Sequence, residues 1–180
     1  MSLKQISVNY DERQDRLRVR LNTVDGAELR LWFTRRFTAA VLPTLREQAG
    51  HPESPARAAD PAQRLAAEMR WEDTIRTADF SRGFEPGRTA GPLGGDEWLV
   101  TDLRLTPRDD GAELVFAERP SADAGQSREL RTQLSRPVLT AFVHLIDLAL
   151  AHAGWDAAPL GVDLSGASAR PAGSVPTVLH

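Results

Sequence analysis

The chain has 180 residues, 41% of them apolar and 26% charged, so it is long enough to bury roughly 70% of its unfolded surface without a metal or disulfide staple. It contains no cysteine, which excludes disulfides, thiolate nucleophiles, iron–sulfur clusters and cysteine zinc sites, and fits a reducing compartment. The formal net charge is −3, so no global positive field recruits nucleic acid and any such binding needs a local patch.

Met1 to Tyr10 lacks the basic start and long apolar core of a secretory signal. The longest nearly apolar stretch, Val138 to Gly154, carries Thr140, His144, Asp147 and His152 and falls short of a membrane span. The expectation is a cytoplasmic protein with no membrane partner. Of the 22 basic residues only Lys4 is a lysine; arginine suits bidentate anion contacts, although the codon bias of a GC-rich genome accounts for the ratio more simply.

In chain order, Ile6, Val8 and Tyr10 alternate with Ser7 and Asn9, the two-residue period of a strand with one buried face. A charged turn, Asp11 to Asp15, follows. Leu17, Val19 and Leu21 then alternate with Arg16, Arg18 and Arg20, and Leu29, Leu31 and Phe33 with Glu28, Arg30 and Trp32. Asp25-Gly26 between these runs is a hairpin signal, so the first third reads as a three-stranded antiparallel meander. At Thr34 the period changes to about 3.6, with a hydroxyl placed to cap a helix whose inward stripe is Phe37, Val41 and Leu45. Pro43 inside that stripe predicts a kink or a short helix.

His51 to Pro61 reads as a loop, and Ala62 to Ala78 as a helix with Leu65, Met69 and Ile75 on its apolar side and Trp71 flanking it. Ser81 to Asp96, rich in glycine and proline, reads as an extended connection. The first pattern then recurs: Leu99, Thr101, Leu103 and Leu105 as one alternating strand, a turn from Pro107 to Gly111, Leu114 and Phe116, then Leu130, Thr132 and Leu134, with Ser135 placed to cap a helix from about Arg136 to Ala153. That helix is apolar on most sides, which predicts burial all round. Residues 28–45 align without gaps on 129–146; Glu28, Leu29, Arg30, Arg35 and Ala40 match Glu129, Leu130, Arg131, Arg136 and Ala141, so duplication is one explanation and convergence on a shared strand-to-helix pattern another.

The fold class expected is therefore α+β: two pseudo-repeats of a three-stranded antiparallel meander followed by a helix, with a helical insertion between them. Residues 1–155 form one duplicated domain, with halves at 1–50 and 97–155, a helical insertion and Gly/Pro connection at 51–96, and an irregular tail at 156–180.

Catalytic signatures fail in turn. There is no G-x-S-x-G elbow, Gly91 to Asp96 lacks dinucleotide or phosphate-loop spacing, and a single lysine near the start disfavours P-loop and Schiff-base chemistry. His144 and His152 lie two helical turns apart, too far for one metal without other ligands. Asp147, one turn from His144, reads as its carboxylate partner. No catalytic residue, metal site or cofactor is assigned.

One surface stands out. If the odd-numbered residues of the second and third strands face the core, alternation puts Arg16, Arg18, Arg20, Arg30 and Trp32 together on the opposite sheet face. Arginines around an aromatic ring can track phosphates while a base stacks on it. They can equally pair with Glu28 and other acids as a solvated face, or be covered by another part of the chain or a second subunit.

Two sheet-then-helix copies with basic and aromatic residues on their strands resemble the layout of PUR-repeat and Whirly-type single-strand nucleic-acid-binding proteins. That resemblance implies that Arg16, Arg18, Arg20, Arg30 and Trp32 would contact the strand. Gln14-Asp15-Arg16-Leu17 and Leu31-Trp32-Phe33-Thr34-Arg35-Arg36 also resemble the opening of short bacterial proteins that bring no activity with them. Three functional classes follow. The first is a non-enzymatic binding or scaffolding protein contacting a protein partner or a second copy of itself as a homodimer. The second is a single-stranded nucleic-acid-binding protein using the Arg/Trp face, and the third an enzyme whose site assembles only in three dimensions, for example from His144, Asp147 and Asp102.

Overall fold

The structure is a computed structural model that describes residues 3–78, 80, 82–87, 97–119 and 127–155. The 156–180 tail and the glycine-rich run at 88–96 lie outside the described residues. The first meander consists of β1 (Leu3–Asp11), β2 (Arg16–Thr23) and β3 (Glu28–Thr34), followed by α1 (Arg35–Ala49). Then come α2 (Pro55–Ala58), α3 (Pro61–Thr77) and the two-residue β4 (Trp98–Leu99). The second meander is β5 (Asp102–Arg108), β6 (Gly111–Glu118) and β7 (Arg128–Ser135), and α4 (Arg136–Ala153) follows it. The fold is α+β, with sheets ordered β1-β2-β3-β4 and β5-β6-β7, antiparallel throughout except for β4, which joins β3 in parallel.

Local chemistry accounts for the joints. The β2–β3 turn closes with the Gly26 N–H donating to the Thr23 carbonyl at 3.0 Å, and Gly26 takes φ +83°, a region closed to most side chains. The Thr34 hydroxyl accepts the Phe37 N–H at 3.1 Å and starts α1; Gly50, left-handed at φ +79°, ends it. Pro43 does not shorten α1, which runs its full 15 residues. The ring and the preceding Ala39 are both exposed, so the carbonyl deprived of its helical donor faces water. Ser135 occupies the cap position of α4, but its hydroxyl makes no capping bond.

The odd-numbered positions of β2 and β3 are buried as their alternation requires: Leu17, Val19 and Phe33 are fully enclosed. The two sheets meet through Phe33 and Phe116, 5.9 Å apart, with Phe37 of α1 edge-on to Phe33 at 4.9 Å. The two helices that follow the meanders each serve both sheets: α4 packs on β1 as well as β6 and β7, and α1 on β3 as well as β5 and β6, while α1 and α4 also pack on each other. One shared core results, in which neither half could bury its apolar face alone.

Four expectations are corrected. The single strand expected over 99–105 is divided between the sheets: the Val100 N–H donates to the Trp32 carbonyl in the first sheet at 3.0 Å, and the Thr101 N–H to the Ala117 carbonyl in the second at 2.9 Å. An unbroken alternation cannot reveal that its ladder partner changes midway. The His51–Pro61 loop contains a helical turn, α2. On α3, Leu65 and Met69 do not face a core but are 58% and 65% exposed, because only Ala67 of this helix is buried and half-buried Trp71 seats it against His51. Finally, α4 is not buried all round, since Leu148 is 55% exposed.

Where β6 starts, a Cβ added to Gly111 would lie 2.0 Å from the Leu134 carbonyl oxygen and 2.9 Å from Ser135 Cα, both backbone atoms that cannot rotate away. Gly111→Ala should therefore destabilise the chain by about 2 to 3 kcal/mol, measured by urea denaturation; a change within about 0.5 kcal/mol, the scatter of neutral surface changes, would show that the β6–β7 approach is looser than this.

Candidate functional site

Register places the five sequence-selected residues on one face. Arg16 lies opposite Thr34, Arg18 opposite Trp32 and Arg20 opposite Arg30, with Asn22 opposite Glu28 continuing the same row. The face is not left to solvent, however. The connection 82–87 and Glu97 lie over it.

Glu28 is the anchor of that cover. Its side chain is fully enclosed, and Oε1 accepts from Arg20 Nε at 3.0 Å and Arg30 Nε at 2.8 Å. Oε2 accepts the Gly87 N–H at 2.9 Å. Burial alone would raise the carboxyl's pKa, but the two guanidinium bonds and the backbone N–H outweigh it and hold it at about 2. Around this point the Phe84 ring packs 4.1 Å from the Arg20 guanidinium, the Asn22 amide donates to the Glu85 carbonyl, and the Gln5 side chain accepts the Glu85 N–H at 3.1 Å while donating to the Gly83 carbonyl at 3.4 Å. Lys4 completes the row with an exposed ion pair to Glu85 at 2.9 Å, which pulls that carboxyl's pKa down.

At the other end, the Trp32 indole N–H donates to Glu97 at 2.6 Å. The Arg18 guanidinium lies over the Trp32 ring at 4.6 Å and reaches Glu97 at 3.5 Å. Trp32 is only 5% exposed. Of the five residues, Arg18, Arg20 and Arg30 thus engage carboxylates of their own chain, Trp32 offers no free ring face, and half-buried Arg16 forms no ion pair among the described residues.

The histidine and aspartate groups are distributed otherwise than expected. Asp147 pairs not with His144 but with Arg46 of α1 at 2.7 Å, and His51 Nε2 is 3.4 Å from its second oxygen. His144 packs against the Phe80 ring at 5.7 Å. Asp102 accepts from Arg119 and from the Thr101 hydroxyl. His144, Asp147 and Asp102 each have separate partners. Among the described residues no group of three or more His, Asp or Glu side chains is placed to hold a metal ion, and no helix is long and apolar enough to cross a membrane.

A second feature was not singled out by its residues. β1 is the terminal strand of its sheet, and along it runs a cleft of about 520 Å³. Residues 3 to 9 all line this cleft, those facing the core and those facing outward alike, as expected of a groove that follows a strand's edge. Its walls are Val138, Phe142 and Leu145 of α4 and Phe80 and Phe84 of the connection. The sequence signal for it is the uncharged, proline-free run from Gln5 to Tyr10, which distinguishes an unguarded edge from an ordinary one.

No known protein family, curated protein or solved structure matches this chain.

Because Glu28 has a depressed pKa in the folded state, its contribution to stability is present above the unfolded value of about 4.3 and is lost as pH falls from there through 2. Replacing it by Glu28→Gln should cost on the order of 3 kcal/mol at pH 7 and flatten the acid limb of the stability curve between these pH values. Denaturant melts at stepped pH measure this; an acid limb that is the same in both proteins contradicts the assignment.

Proposed function

We propose that the chain is a non-enzymatic binding protein and that its contact surface is the β1 cleft, which receives an extended segment of a protein partner as an added strand. The observation that carries this reading is the contrast between two edge strands of similar position. β5, which opens the second meander, carries Asp102, Arg104, Pro107 and Arg108, the charges and proline that keep an edge from pairing with other chains. β1 keeps its charges at its ends, Lys4 and Asp11, and has no charge or proline from Gln5 to Tyr10, where the interior of β5 has Arg104 and Pro107; apolar side chains of α4 stand beside it.

Backbone groups on such an edge bind any extended chain, and the flanking apolar wall selects its alternate side chains. Val138 and Phe80, 37% and 43% exposed, are the wall residues with most surface left to bury. The partner segment this fits is apolar at every second position. The single-strand nucleic-acid alternative is less well supported, since stacking on Trp32 first requires breaking its contacts to Arg18 and Glu97.

The test uses a fluorescein-labelled peptide of alternating valine and threonine and the full chain. Binding is expected, with Val138→Glu weakening it at least about tenfold by desolvating a charge in the groove while leaving the melting temperature unchanged. A two-chain mass in light scattering that Val138→Glu reduces to one would assign the cleft to a second copy instead. A monomer that binds no peptide overturns the reading.

A further inference from the structure

A separate cleft of about 450 Å³ lies where the helices converge, lined by Arg57 of α2, Arg70, Trp71 and Thr74 of α3, and Arg136 of α4. We propose that it binds a small phosphate-bearing ligand with an aromatic ring, of the nucleoside-phosphate class. This goes beyond the peptide-binding reading and uses none of its residues.

The chain has more acidic than basic residues, 25 against 22, and guanidinium groups on both sheets pair with carboxylates: Arg18, Arg20 and Arg30 on the first, Arg104, Arg108 and Arg131 on the second. In the helical cleft one of the three arginines is so paired. Arg70 and Arg136 form no ion pair among the described residues, although acids are plentiful. Arg57 is held at 3.2 Å by Glu47 and at 2.9 Å by the Ser54 hydroxyl, and the one acid on the wall, Asp73, is taken at 2.6 Å by Arg76.

Position sharpens this. Arg136 is the first residue of α4, and no acidic residue occupies the first turn. A cation at the positive end of a helix is electrostatically unfavourable by itself and becomes favourable once an anion joins both. One carboxylate is satisfied by one guanidinium fork, whereas several arginines converging on one cavity match the multiple charged oxygens of a phosphate chain.

Trp71 supplies the second half of the recognition. Its ring is half-buried and fixed edge-on against His51, 4.6 Å between centroids at 72°, which leaves an oriented apolar wall on the cleft for a planar ring to pack on. Arginines around an aromatic wall are the combination sought at first on the β2–β3 face; here two of the three, Arg70 and Arg136, have no carboxylate partner among the described residues.

The test is calorimetric titration of ADP into the full chain at low salt, with pyrophosphate as the ring-free probe. ADP should bind, and pyrophosphate about tenfold more weakly, the contribution of one stacked ring. Arg70→Glu combined with Arg136→Glu should lower ADP affinity about a hundredfold or more with circular dichroism unchanged and the melting temperature not lowered, since both side chains are on the surface and an acid at position 136 suits the positive end of α4. Trp71→Leu should erase the difference between the two probes, and Trp71→Phe should keep it. No heat at about 1 mM ADP, the weak limit of specific binding, overturns the proposal, as does ADP binding unaffected by the double substitution; equal affinity for ADP and pyrophosphate overturns the nucleoside part.

Discussion

A single carboxylate removed from water organises one side of this molecule. Glu28 is enclosed, and an enclosed carboxylate is tolerable only when paired and hydrogen-bonded; two arginines and the Gly87 amide meet that demand. Because the arginines come from adjacent strands and the amide from the connection between the halves, satisfying Glu28 also fixes that connection against the first sheet. The basic face that follows from strand alternation is thereby turned into a half-buried seam, with Glu97 performing the same service for Arg18 and Trp32 at its other end.

The second constraint is backbone accounting. Consecutive amides at Val100 and Thr101 donate to different sheets, so the chain is committed to both within one residue, and the sheets cannot separate without losing ladder bonds. The helices then cross between sheets, and the ion pair between Arg46 of α1 and Asp147 of α4 joins them over a core they share. Two halves with one element order are interlocked rather than stacked. With the sheet face covered, two features stand at the margins of the described residues: a strand edge beside an apolar wall, and a cleft among the helices in which Arg70 and Arg136 form no ion pair.

Much of this architecture is legible in the residues because its causes are local. Arg18 and Arg30 share a face because alternation has a period of two. The Asp25-Gly26 turn and the Thr34 cap are also short-range chemistry, and each appears where the pattern changes. What is not legible depends on partners far along the chain. Alternation says on which side Arg20 lies and is silent about Phe84 and Gly87, some sixty residues away, arriving to cover it. Asp147 stands one turn from His144, yet its partner comes from another helix, 101 residues distant. Leu65 and Met69 form an apolar stripe that reads as buried, but whether a stripe is buried depends on what packs against it, which the helix itself does not encode.

Closure of the β2–β3 face by the chain itself is measured directly by hydrogen exchange in the full chain. If the seam is closed, the Trp32 indole N–H and the Gly87 amide exchange at least about a hundredfold more slowly than in an unstructured peptide, as groups released only by opening do. Exchange of both at free-peptide rates would mean that Glu28 and Glu97 do not hold their partners, and the arginine and tryptophan face would stand open to other molecules.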